Sequence, residues 1–151
     1  MLEPSAAHRL WAQAPAWGQG ALTVAAGGLA GLGQAPVDQP ALTLVGLAFG
    51  FWIIRPRTRL PHFWRGWGLG FGYFLVALAW IVEPFLVEGR GTSWVAPFAL
   101  LAMAGGLALF WGGAFGLARG RARLWVCLAL LAAELARSYL FTGFPWALLG
   151  Y

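Results

Sequence analysis

The chain has 151 residues, 60% of them hydrophobic and only 10% charged, and its mean hydropathy is +0.71. Soluble domains carry about 25% charged residues, so this composition excludes a soluble globular domain and points to an integral membrane protein, a class that also favours the 10 Trp and 22 Gly. The net charge of +5 arises from ten Arg and no Lys against five acids. These Arg lie in short stretches between apolar runs, not in a basic stripe, which argues against nucleic acid and for topology signals and contacts to anionic headgroups.

An all-α fold is predicted, a polytopic transmembrane helix bundle of about five spans in one unit, because a span needs about 20 apolar residues, within a range of about 17–25. The first segment covers 17–34. It follows Glu3, Pro4 and Pro15 and is closely followed by further apolar runs, so a cleaved signal peptide is not expected. It ends at Ala35-Pro36-Val37-Asp38-Gln39-Pro40, a turn in which Asp38 is placed to form an Asx turn or to cap the next helix, and Pro40 to start it.

The second segment, 41–54, is short. It rises about 21 Å at about 1.5 Å per residue, against about 30 Å of hydrocarbon, so it either thins the bilayer or forms a partly inserted hairpin arm. Arg55-Pro56-Arg57-Thr58-Arg59 follows it. The third segment, 63–82, stops at Glu83-Pro84, and the loop beyond carries Glu88 and Arg90. The fourth, 94–118, is closed by Arg119-Gly120-Arg121-Ala122-Arg123, and the fifth covers 124–141.

Arg9, then Arg55, Arg57, Arg59 and Arg65, then Arg119, Arg121 and Arg123 fall on one side of such a bundle, and Arg90 alone falls in a loop on the other. The side rich in Arg is cytoplasmic. The N-terminus is therefore expected inside, and the Asp38 turn, the loop before Ser93 and the stretch from Thr142 to Trp146 outside. Glycine pairs four residues apart recur at Gly27/Gly31, Gly46/Gly50, Gly66/Gly70, Gly68/Gly72 and Gly112/Gly116. Such spacing lets helices approach closely in lipid, and it is read here as packing within the chain, not between copies.

Glu134 and Arg137 interrupt the fifth segment. Charges at membrane depth cost about 2.5–3.5 kcal/mol each on insertion scales. Their i, i+3 spacing puts them on one helix face, with Glu134 about 10 Å below the outer end of the span. Two readings stay open: a structural ion pair that locks helix packing, or an Arg137 that binds a lipid phosphate while Glu134 orients it. Beyond them, Gly143 suits a helix end, Pro145 cannot continue a helix, and Phe144 and Trp146 are interfacial anchors. Cys127 is the single cysteine, so an internal disulfide is excluded. It is expected to be a small buried residue, with no His or Lys near it in sequence to activate it. His8 and His62 are far apart, and neither a zinc spacing, a P-loop, a Ser-His-Asp set nor a dinucleotide fingerprint occurs, so no metal and no cofactor is expected.

The closing stretch, Glu134-Leu135-Ala136-Arg137-Ser138-Tyr139-Leu140-Phe141-Thr142-Gly143-Phe144-Pro145-Trp146-Ala147-Leu148-Leu149-Gly150-Tyr151, resembles the fifth-helix and loop region of bacterial apolipoprotein N-acyltransferases. The turn from Pro36 to Pro40 is similar to that family's Pro-x-Asp-x-x-Pro turn, with Val37 where an aromatic is commoner. Arg65-Gly66-Trp67-Gly68-Leu69-Gly70-Phe71-Gly72-Tyr73-Phe74, continued by Ala79-Trp80-Ile81, is similar to its glycine-rich third helix. The resemblance extends from about residue 21 to residue 151.

The resemblance implies a multi-pass protein of the bacterial inner membrane that works on membrane phospholipid and a lipoprotein substrate. The family moves an acyl chain from phospholipid to the amino group of a lipidated N-terminal cysteine through a thioester, using a Glu-Lys-Cys triad in an extracytoplasmic nitrilase-like domain. With no Lys here, and Cys127 inside a helix, the triad maps onto no residue of this chain. The expectation is thus the N-terminal membrane portion, truncated before the catalytic domain and inactive alone, with Glu134, Arg137, Phe144, Pro145 and Trp146 adjacent to substrate or lipid and Asp38 in a structural turn. Two alternatives are a non-catalytic membrane partner of a separately encoded nitrilase-like chain and an unrelated small membrane carrier with Glu134 and Arg137 on a polar path.

Overall fold

The computed structural model of the chain describes residues 13–54, 61–87, 91, 93–118 and 123–140. Among them every regular element is helical. Six α-helices follow one another: α1 (Ala16–Gly31), α2 (Pro40–Ile53), α3 (His62–Ala77), α4 (Glu83–Val87), α5 (Ala96–Leu117) and α6 (Arg123–Leu140), with 3-10 turns at Ala79–Val82 and Ser93–Val95.

Proline sets most of the helix starts. Pro15 and Pro61 are the residues before α1 and α3, Pro40 opens α2, and Pro97 lies in the first turn of α5. A proline has no N–H to leave unsatisfied at a helix start, and its fixed φ suits the entry. The same residue explains a break. The segment expected to run as one helix over 63–82 divides at Leu78, whose backbone leaves the helical region (φ −105°, ψ 11°). Pro84 lacks an N–H for the carbonyl of Trp80 and its ring collides with that carbonyl in a continuous helix, so the chain tightens into the 3-10 turn and restarts as α4, bent by 56°.

α3 is the centre. It packs along α1 on one side and α5 on the other, while α2 folds back on α1, and α6 lies on α5. Contacts between Thr23 and Gly68, and between Gly31 and Tyr73, make α1 and α3 parallel; those of Gly66 with Phe115 and Gly70 with Trp111 make α3 and α5 antiparallel. Leu69, Tyr73, Phe74 and Ala77 of α3 meet Ala104, Ala108, Trp111 and Phe115 of α5 in the fully buried core, with Ala26 and Ala30 of α1 on the far side. Among the described residues, by length and hydropathy alone, one helix, Ser93–Leu117, qualifies to cross a membrane, and a second does if His62–Ala77 and the bent Ala79–Val87 count as one span; α2 is apolar but shorter.

The glycines on α1, α2 and α3 are what allow these approaches. A Cβ on Gly27 would run into the Leu69 carbonyl oxygen, and one on Gly72 into the Val24 carbonyl oxygen. On α2, Gly46 lies against the backbone of Ala26 and Ala30, and the Thr43 hydroxyl donates to the Ala30 carbonyl at 2.9 Å. The spaced glycine pairs of α1 and α3 thus serve contacts within the chain.

Gly27→Ala and Gly72→Ala are each expected to lower stability by about 1–3 kcal/mol, because backbone cannot move aside for a methyl group. Gly106, on an open face of α5 with nothing near its absent Cβ, is the control: Gly106→Ala should be neutral or stabilising by up to about 1 kcal/mol through helix propensity. Unfolding by sodium dodecyl sulfate in mixed micelles measures all three, and equal behaviour of the three variants would refute the backbone-contact account.

Candidate functional site: a buried ion pair held by three helices

α6 meets α5 along Val126, Ala129, Leu130 and Ala133, which recur at the helical repeat of three and four residues. One turn further this stripe reaches Arg137, and Glu134 sits beside it. The guanidinium Nη2 donates to Glu134 Oε2 at 2.6 Å, and the two side chains are 2% and 12% exposed.

Two further residues complete the site, and neither was among the expected ones. Trp111 of α5 is fully buried, and its indole Nε1 donates to the other carboxylate oxygen, Glu134 Oε1, at 2.9 Å. Phe74 of α3 lies under the guanidinium, with Arg137 Cζ 4.8 Å from the ring centre. Each Glu134 oxygen therefore has its own donor, and the cation has both an anion and an aromatic face. The rings are themselves locked together. Tyr73 stacks on Trp111 at 5.3 Å, while Phe74 meets Trp111 edge-on at 5.7 Å and Tyr73 at 5.1 Å. The site thus joins α3, α5 and α6.

The i, i+3 spacing of Glu134 and Arg137 was visible in the sequence. Trp111, 23 residues from Glu134, was not, although one signal existed: a Trp in the middle of an apolar helix carries an N–H that needs an acceptor when buried. The arrangement supplies charge and orientation. Ser138, on the same turn as Arg137, donates its hydroxyl to the Leu135 carbonyl at 2.7 Å instead. Beside the pair, an apolar cleft of about 730 Å³ lies between α5 and α6, lined by Leu109, Phe110, Gly113, Ala133 and Ala136 among others.

The other expected residues lie elsewhere. Asp38 is in the turn between α1 and α2, in the left-handed region (φ 52°), with its N–H bonded to the Gln34 carbonyl at 3.0 Å. The cap position of α2 belongs to Gln39, and no side chain caps it, so the capping role expected of Asp38 is not made; a short acidic side chain tolerates the left-handed turn itself. Phe144, Pro145 and Trp146 lie outside the described residues. Cys127 is exposed, not buried as expected, because it falls off the stripe through which α6 meets α5. Arg65, counted above with the loop arginines, is instead buried inside α3, its Nη2 3.3 Å from His62 Nδ1.

Removing one member of a buried ion pair leaves a charge uncompensated, at about 3–5 kcal/mol, whereas replacing both by apolar groups is often nearly neutral. Glu134→Ala and Arg137→Ala should each destabilise the chain by that order, and Glu134→Leu combined with Arg137→Met should recover most of the loss. Trp111→Phe keeps the ring contacts and removes one hydrogen bond to a charge, worth about 1.5–3 kcal/mol. That loss should vanish in the double-replacement background, where the acceptor is gone. Wild-type stability in all three single variants would show that the pair holds nothing together.

Comparison with known proteins fits this picture. The family model described as the apolipoprotein N-acyltransferase N-terminal domain matches residues 26–151. An apolipoprotein N-acyltransferase of Caulobacter vibrioides is 48% identical over 94 residues, 58% of this chain and 18% of the relative. Those of Pseudomonas paraeruginosa and Allorhizobium ampelinum are 35% and 31% identical over 150 and 151 residues, covering 93% and 89% of this chain. This chain spans 29% of the length of each of these two relatives and 18% of the first. The 151 residues with a core built on α3 and a buried ion pair on α6 belong to the apolipoprotein N-acyltransferase family, whose N-terminal domain they carry.

Proposed function

We propose that this chain forms the membrane portion of a phospholipid:apolipoprotein N-acyltransferase, a bundle of about five spans in the bacterial inner membrane with its N-terminus in the cytoplasm. The observation that carries the membrane reading is a reversed polarity. Arg65 and Arg137 are 1% and 2% exposed, and Gln19 and Thr23 are fully buried, while Leu44 and Leu117 are 70% and 74% exposed. Water would reward the opposite arrangement, whereas hydrocarbon favours apolar side chains outside and polar ones paired within. The alternating directions of α1, α2, α3, α5 and α6 suit successive crossings, α2 being the short one.

On this reading the 151 residues supply scaffold and a lipid-facing wall, not the nucleophile. They contain no Lys, so the Glu-Lys-Cys set implied by the family resemblance is placed outside residues 1–151. Glu134 and Arg137 fix the wall between α5 and α6 beside the apolar cleft, where a phospholipid's chains can lie, and Phe144, Pro145 and Trp146 shape the adjoining outer surface. The proposed substrates are a membrane phospholipid and a lipoprotein N-terminus.

Reporter fusions at Arg57 and Arg121 should read as cytoplasmic, and fusions at Arg90 and Tyr151 as external; an external reading at Arg121 would overturn the orientation. The purified chain, incubated with phospholipid labelled in its acyl chain, should acquire no label that hydroxylamine releases. Stoichiometric thioester label on Cys127 would show that the chain has its own nucleophile and would sink the scaffold assignment.

A further inference from the structure

The connection from α3 to α5 behaves unlike the rest of the bundle. After Ala77 the chain turns away from the α3 axis by 56°, runs through the 3-10 turn Ala79–Val82 and forms α4, only five residues long. A helix of that length is far below what is stable by itself in water. Tertiary support comes from two places: the 3-10 turn rests on α5, and α4 touches the second 3-10 turn, Ser93–Val95. None of the side chains from Ala79 to Val87 is buried, yet the segment is largely apolar. Trp80 and Leu86 are exposed, and Val87 and Trp94 are 84% and 70% exposed.

We propose that this segment, with Trp80, Leu86, Val87 and Trp94, is an interfacial anchor that lies in the headgroup boundary of a phospholipid bilayer on the face where α3 ends and α5 begins. The proposal rests on the membrane reading above and adds the depth and role of a segment which that reading leaves as a loop. Three observations commit the occupant to lipid. First, a bend of 56° from a helix that crosses the membrane brings the following chain towards the membrane plane. Second, the patch is continuous with the outward face of the long apolar helix: Trp94 meets Phe98 edge-on at 6.3 Å, and Phe98 and Leu101 are exposed on α5. Hydrocarbon that covers the one reaches the other. Third, the chemistry is that of an interface. Each of the two 3-10 turns carries a Trp, Trp80 and Trp94, a residue that settles at headgroup level, and α4 carries the carboxylate of Glu83, exposed to solvent. Helices lying in this boundary bury their apolar side chains about 5–10 Å deep. The anchor sits at the end of the bundle to which the C-terminal turns of α3 and α6 run, and so at the end nearer the buried pair.

Nitroxide accessibility tests this. In a Cys127→Ser background, Leu86→Cys, Val87→Cys and Trp94→Cys are labelled singly, with Leu109→Cys, on the exposed face of α5 near its midpoint, as the hydrocarbon reference and Gln39→Cys, exposed in the turn between α1 and α2, as the water reference. The chain is reconstituted in phosphatidylcholine vesicles, and relaxation by oxygen is compared with relaxation by a water-soluble nickel chelate. The expected result is a ratio of oxygen to nickel collisions at 86, 87 and 94 that lies several-fold above that at 39 and below that at 109. If 86, 87 and 94 match 39 while 109 remains in hydrocarbon, the anchor is refuted and the membrane reading stands. If those three positions exclude both reagents, protein covers the patch and the lipid assignment is likewise refuted. A water-like ratio at 109 would overturn the membrane reading itself.

Discussion

How near α1 can come to α3 decides the rest of the bundle. The two helices run parallel, so no short turn joins them; α2 must intervene, and it touches both, with Gly46 against the backbone of Ala26 and Ala30 and Gly50 against the Leu69 side chain, while α1 and α3 meet along a surface of their own. That surface is backbone on backbone. Gly27 faces the Leu69 carbonyl and Gly72 faces the Val24 carbonyl, with no room for a methyl group at either place. Small residues at such contacts let dispersion act over many atoms at short range, a driving force that remains where the hydrophobic effect between helices is lost. With one side of α3 so filled, its large side chains, Tyr73 and Phe74, are committed to the other side, towards α5.

This commitment creates the polar site. Tyr73 and Phe74 hold Trp111 between them, and the indole N–H is thereby aimed at α6. A buried indole N–H requires an acceptor; Glu134 provides it, and Arg137 neutralises Glu134 and rests on Phe74. The chain of dependence thus runs from glycine contacts through an aromatic cluster to an ion pair, across three helices that are distant in sequence. It also gives α6 a charged attachment, where elsewhere α6 meets α5 through apolar side chains and is exposed along its outer face.

Membership of the apolipoprotein N-acyltransferase family gives these features a setting. The proposed membrane role would use the apolar cleft between α5 and α6 beside the buried pair. The proposed interfacial segment and the buried pair approach the same end of the bundle, one on its surface and one within it.

Composition alone decided that the chain is apolar and basic, because 60% of its residues are hydrophobic and ten Arg stand against five acids. Proline positions marked where helices begin, since a proline's local geometry acts regardless of what surrounds it. The spacing of Glu134 and Arg137 placed both on one face of α6, since a helix turns through a fixed angle per residue. Local rules of this kind did not reach further. That Trp111 and Phe74 would complete the pair, that Arg65 would turn inward and Cys127 outward, and that Asp38 would occupy a left-handed turn without capping α2 depended on which helix faces met. Those faces are chosen by backbone contacts between α1 and α3 and by the volume of rings between α3 and α5, quantities that exist only once distant segments are packed, and so only the tertiary structure could decide them.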